Sequence, residues 1–397
     1  MAPAQRKWIF ATIAALFLAG AGLWLKNGVF FDQRDWASSA PREPSVSLDL
    51  PPPEMDEVWG PSQDRIAEEI AQSSINTARK NATGGFTPRD AHPKHHGCVK
   101  AHWSVEFSQL PDDLRVGPFD PQSEFEAWIR FSNGSPNGRT ANDADADVRG
   151  MAVKLMNVPG ANSGSQDFVM MTSPRFFTRD ADDYLQLHRA IEGGGLSLVA
   201  YLATHPKNAW ILNNARVTGH NPMGFTYFSA VPYKLGRLPM RYKFAPCTNQ
   251  EPLFQADERN PNYLSTALAR GLRERGACFE VWVQPNLDPK RNPTEDPRLE
   301  WDEAVSPFLH AARLTIEKQT GITTPEMNAF CENLSFNPWH TIPELRPMGQ
   351  INRIRKATYD AVSKFRHQNN ARPEIEPVDH GPCQNPATAA LCEPILN

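Results

Sequence analysis

Between His92 and Gln284 the chain is a series of short runs in which apolar and polar residues alternate, each cut off by glycine, asparagine or proline. The clearest are 101–107, 127–131, 150–156, 226–231, 240–245 and 278–284. A period of two puts apolar side chains on one face of a strand, and strands this short are stable only when paired. Helical spacing surrounds them. Ile66, Ile70, Ile75 and Ala78 recur as one face of a helix over 61–82, with Ser62 placed to cap it, and further helical patterns cover 180–205, 263–275 and 350–369. The order predicts an α+β domain built on a central antiparallel sheet or β-barrel flanked by helices. The 36 prolines among 397 residues, nearly twice the usual ~5%, make it loop-rich.

Residues 8–25 carry no charge and are flanked by Arg6, Lys7 and Lys26. Eighteen apolar residues just span a bilayer, so 1–26 is expected to be a membrane anchor, or a signal segment if cleaved near Ala19-Gly20-Ala21. The flanking charges place the amino terminus in the cytoplasm and the rest outside, either anchored to the inner membrane and facing the periplasm or secreted. Residues 27–60, with Pro51-Pro52-Pro53, read as an extended, mobile Pro-rich tether; 61–371 is the globular domain and 372–397 a polar tail. Cys383 and Cys392 bracket a short loop and are read as a disulfide. Cys98, Cys247, Cys278 and Cys331 are widely spaced and form no CxxC pair, which argues against structural zinc. A net charge of −4 gives no nucleic-acid footprint.

Two motifs carry chemistry. On a helix, Arg355, Tyr359 and Arg366 share one face, so the Arg355 guanidinium reaches the phenol one turn away. A neighbouring cation favours the phenolate, an oxygen ligand for ferric iron. Ile351, Ile354, Thr358, Val362 and Phe365 also follow helical spacing, so a packing helix explains the pattern as well. The second motif runs from Arg89 to Val99 and holds His92, His95 and His96, whose spacing fits no zinc triad. His95 and His96 read as structural or solvent-facing.

Together these segments resemble the haem catalases. Arg89-x-x-His92 resembles their distal segment, Arg130-Phe131-Ser132 their Arg-Phe-Ser, and 149–154 their Arg-Gly-x-Ala-x-Lys strand. Asp167-Phe168-Val169 and 174–180 are similar to the segment on the distal side of the haem, and Arg355-x-x-x-Tyr359 with Arg366 to the proximal motif. The 92–99, 300–307 and 349–355 stretches are closer to a smaller, catalase-related peroxidase group. The likeness spans roughly 80–370, without the extra domain of large catalases.

The resemblance implies a catalase-like fold with haem (heme), of type b, at the barrel edge. Tyr359 would bind iron, Arg355 would keep it anionic, and His92, oriented by Ser132, would be the distal acid/base. Arg89, Arg130 and Arg366 would pair with the propionates, and Tyr184 stands where a phenylalanine usually stacks on the porphyrin. Where catalases place an asparagine this chain has Met171, which donates no hydrogen bond, with Thr172 beside it as a substitute. The implied function is a haem-dependent peroxidase using hydrogen peroxide or organic hydroperoxides and an electron donor. The alternatives are a fatty-acid hydroperoxide isomerase or lyase of the same fold, and a non-catalytic haem-binding or sensing protein.

Overall fold

A computed structural model describes residues 53–135, 140–248 and 253–393. The expected membrane segment, and the tether up to residue 52, lie outside the described residues. Among the described residues there are nine strands: β1 (His95–Ser104), β2 (Glu124–Asn133), β3 (Arg149–Met156), β4 (Ser165–Met171), β5 (Tyr227–Phe228), β6 (Tyr233–Leu235), β7 (Leu238–Pro246), β8 (Ala277–Pro285) and β9 (Leu309–Ile316). The sheet runs β5-β4-β3-β2-β1-β9-β8-β7-β6, and β5 also pairs with β7. That second pairing closes eight antiparallel strands into a barrel, with β6 appended as a hairpin to β7. Closure removes the exposed edges an open sheet would carry.

Period-two alternation sorts each strand between the barrel's two faces. Trp103, Phe131, Val153, Phe168, Tyr242 and Phe244 belong to one buried core. Trp103 stacks on Phe168 at 5.4 Å, and Phe168 meets Tyr242 edge-on at 5.2 Å. The alternate residues face outward, and the register lines them up across strands. Ser132 lies opposite Gly150, Gly150 opposite Met171, and Met171 opposite Phe228.

Among the described residues, seven helices surround the barrel: α1 (Pro61–Lys80), α2 (Ala181–Glu192), α3 (Gly195–Thr204), α4 (Pro206–Ala215), α5 (Tyr263–Glu274), α6 (Pro325–Asn333) and α7 (Gly349–Asn369). Ile66, Ala67, Ile70 and Ala71 of α1 pack with Ala181 and Leu185 of α2 and with Ile354 and Ala357 of α7. This small cluster holds α7 in place over the barrel.

Several local expectations change. Ser62 does not cap α1: Gly60 does, without a side-chain bond, and Pro61 opens the first turn. The 180–205 pattern is two helices, split at Gly193 and Gly194. The described end of the tether is docked rather than mobile. Glu57 there is fully buried, 2.7 Å from Arg346 and 3.0 Å from Arg353, and accepts the Gly349 N–H at 2.8 Å where α7 begins. The tail is not merely polar, since Leu391 and Cys392 pack with Trp128 and Phe330. Cys383–Cys392 forms, and so do Cys98–Cys331 and Cys247–Cys278. Cys98–Cys331 ties α6 to the barrel.

Candidate functional site

The outward face of β2, β3 and β4 and the inward face of α7 enclose a cavity of about 550 Å³. That is in the range of small-molecule and cofactor sites. His92, Ser132, Gly150 and Met171 line it from the barrel side, and Arg355, Thr358, Tyr359 and Val362 from α7.

His92 sits just before β1 with φ +53°, a left-handed conformation uncommon for any residue with a side chain. Its carbonyl accepts from Arg130 at 2.9 Å, and its Nδ1 lies 3.2 Å from the Ser132 hydroxyl. The ring rests on Gly150, where an added Cβ would come within 2.5 Å of Nδ1. Burial, then the charges of Arg130 and Arg355, pulls its pKa down to about 4. The imidazole is therefore neutral near pH 7 and able to accept a proton.

Across the cavity, Arg355 donates to the Tyr359 hydroxyl at 3.3 Å, to Tyr233 at 3.3 Å and to Asn352 at 2.9 Å. Burial opposes its charge, but Tyr359 and Tyr233 outweigh that and raise its pKa. The cation beside the phenol is thus firmly held.

Arg89, Arg130 and Arg366 converge at one end of the cavity. Arg89 donates to the Glu332 carbonyl at 3.0 Å and to that of Leu334, and Arg366 to the Glu332 carbonyl at 2.7 Å. Burial, followed by the charge of Arg89, pushes Arg366 down to about 9 and Arg130 well below its usual range. The Nε atoms of Arg89 and Arg130 are buried without hydrogen-bond partners. Three crowded guanidiniums, two of them with unused donors, suit carboxylates of a bound group.

Tyr184 also lines the cavity, 5.4 Å from the Phe176 ring and 4.7 Å from that of His188. Thr172 does not reach the cavity. Its hydroxyl accepts from the Arg149 amide at 3.1 Å and donates to the Ala215 carbonyl at 3.4 Å, because alternation along β4 gives the wall position to Met171. His96 is buried, with Nε2 2.8 Å from Asn133, so it is structural and not solvent-facing.

Sequence reasoning passed over Asp90, Glu332 and Asn337. Asp90 lines the cavity, and burial raises its carboxyl to about 6. Its only sequence signal was its place between Arg89 and His92, on irregular backbone whose side-chain directions have no period.

A closed eight-stranded antiparallel barrel flanked by helices defines the catalase-like α+β fold. Solved catalases share it. A fungal catalase superposes with a TM-score of 0.57 at 14% identity, covering 85% of this chain and 74% of the other. Catalase A from Saccharomyces cerevisiae gives 0.57 at 16% identity over 90% and 72%, and a bacterial catalase 0.54 at 17% over 84% and 67%. No family model matches the sequence, and a sequence search of curated proteins finds no match.

Proposed function

We propose that this chain is a haem-dependent peroxidase that reduces hydrogen peroxide or organic hydroperoxides at the expense of a separate electron donor. The observation that carries this reading is that one cavity brings together Arg355–Tyr359 on one wall and His92–Ser132 on the facing wall, with three arginines at its end. Tyr359 would bind the iron of haem b, Arg355 holding its oxygen in the anionic form, while Arg89, Arg130 and Arg366 would hold the propionates and Tyr184 would pack beside the ring. When bound, haem supplies the redox chemistry that cleaves the peroxide O–O bond.

His92 takes the proton from the peroxide hydroxyl and returns it to the departing oxygen, so that water or an alcohol leaves. Ser132 at Nδ1 and Arg130 at the carbonyl fix the ring for that transfer. Met171 supplies no donor where peroxide would be positioned, and with Val169 and Phe176 it makes that wall apolar. This favours peroxidase turnover over rapid disproportionation and leaves room for a lipid hydroperoxide. The isomerase or lyase reading is the second choice on that observation.

Pairing of all six cysteines as disulfides supports a site of action outside the cytoplasm, as does the apolar 8–25 segment. The full chain, expressed with haemin and purified in detergent, tests the core of the reading. It is expected to show the visible spectrum of a tyrosinate-bound ferric haem, and Tyr359→Phe to lose haem on gel filtration. A protein that stays colourless would remove every haem-based reading together. Oxygen release exceeding dye oxidation would contradict the role given to Met171.

A further inference from the structure

Behind the arginine end of the cavity lies a carboxylate that this chemistry does not use. The side chain of Glu332, at the end of α6, is 1% exposed and lies 3.7 Å from Arg366 and 4.0 Å from Arg89. The three guanidiniums line the cavity and Glu332 does not, so it meets them from outside the wall. Neither of its oxygens has a hydrogen-bond partner. Burial opposes its ionisation, but Arg89, Arg366, His95 and Arg130 overcome that and lower its pKa. The carboxylate is therefore charged. The last carbonyls of α6 support the same arginines, and the Cys98–Cys331 disulfide fixes the neighbouring residue to β1.

Three guanidiniums facing one buried carboxylate leave two positive charges that Glu332 does not offset; Glu374, the other acid acting on Arg366, is exposed and screened by water. We propose that Glu332 is a positioning residue for a dianionic cofactor: it holds Arg89 and Arg366 in the cavity wall and cancels one of the three cluster charges, so that the remainder matches two carboxylates. The identity of that cofactor as haem rests on the function proposed above. Without Glu332 the empty site would hold three like charges at close range, and the loaded site only one in excess. Deleting the charge therefore damages the empty protein more than the loaded one.

The test compares wild type with Glu332→Gln, each haem-free and haem-loaded, by thermal unfolding and by the ferric/ferrous midpoint potential. The expected result is a larger loss of Tm without haem than with it. A higher midpoint is also expected, because a negative charge near the haem edge has gone, with Glu332→Asp returning towards wild type. Equal Tm losses in both forms and an unchanged midpoint would overturn the assignment, since a purely packing role predicts that outcome. If Glu332→Gln does not accumulate, the double variant E332Q/R366Q restores the charge count and is expected to fold. Failure of the double variant as well would also overturn the proposal. A colourless wild type is a different result, which refutes the haem reading itself.

Discussion

Gly150 is the position where one methyl group should disable the cavity while leaving the fold standing. Its backbone is ordinary strand, so alanine is conformationally acceptable. A Cβ there would lie 2.5 Å from Nδ1 and 2.7 Å from Cε1 of His92, and 2.8 Å from the Ser132 hydroxyl. Ordinary contacts between such atoms fall near ~3.5 Å, so the imidazole must retreat by about 1 Å. That movement breaks the 3.2 Å contact with Ser132. Overpacking of this kind costs about 1–3 kcal/mol, and a 1 Å misplacement of a reacting group costs on the order of 100-fold in rate. Gly150→Ala is thus expected to retain haem, because Tyr359 and Arg355 stand on the opposite wall, while peroxide-dependent dye oxidation falls about 100-fold. Stopped-flow kinetics and the visible spectrum, measured on the same preparation, separate the two effects. Turnover at the wild-type rate would refute both the placement of His92 and its role.

Stability should fall as pH drops from about 6.5 to about 4, because burial lowers His92, His96, His188 and His367 to about 4 each. The unfolded chain binds more protons in that window, so their contribution is present above pH ~6.5 and lost towards 4. Asp90 and Glu295, raised to about 6 and about 7, act in the opposite sense but are fewer. Denaturant titrations at pH 7 and 4.5 check this, and equal midpoints would contradict it. Glu57→Gln would remove the buried carboxylate that Arg346 and Arg353 share, leaving Arg346 only the half-buried Glu54 at 3.4 Å as a carboxylate partner, with an expected loss of about 3–5 kcal/mol in denaturant unfolding. A loss below 1 kcal/mol would mean that the Glu57 carboxylate does not fasten this segment to the domain. Replacing Cys98 and Cys331 together by alanine removes a cross-link spanning 233 residues and should cost roughly 5 kcal/mol, read from the unfolding midpoint.

Strands β1, β2, β3, β5, β7 and β8 were legible from their alternation; β4 and β6 were not, nor was β9. Its pairing with β8 shifts register between Val281 and Trp282, and Ala311 and Ala312 are buried in succession, so the period of two is broken where it would have shown. Helix α6 spans only nine residues, too few for a helical period to stand out. The Arg355–Tyr359 contact was foreseeable because one turn of helix fixes it. The Ser132–His92 contact joins residues 40 apart and was implied only by family resemblance. Thr172 was misjudged because a slip of one along a strand moves a side chain to the other face.

The sequence by itself determined the local geometry: which residues alternate along a strand, which share a helical face, and where turns must fall, since these depend on neighbours within a few positions. Only the tertiary structure decided what stands opposite what. Closing the barrel through β5 and β7 put Ser132, Gly150 and Met171 in one row, and the α1–α2–α7 cluster set Tyr359 across from it. The α6 end carried Glu332 in behind Arg89 and Arg366. Such distances follow from packing between segments far apart in the chain, and no local pattern encodes them.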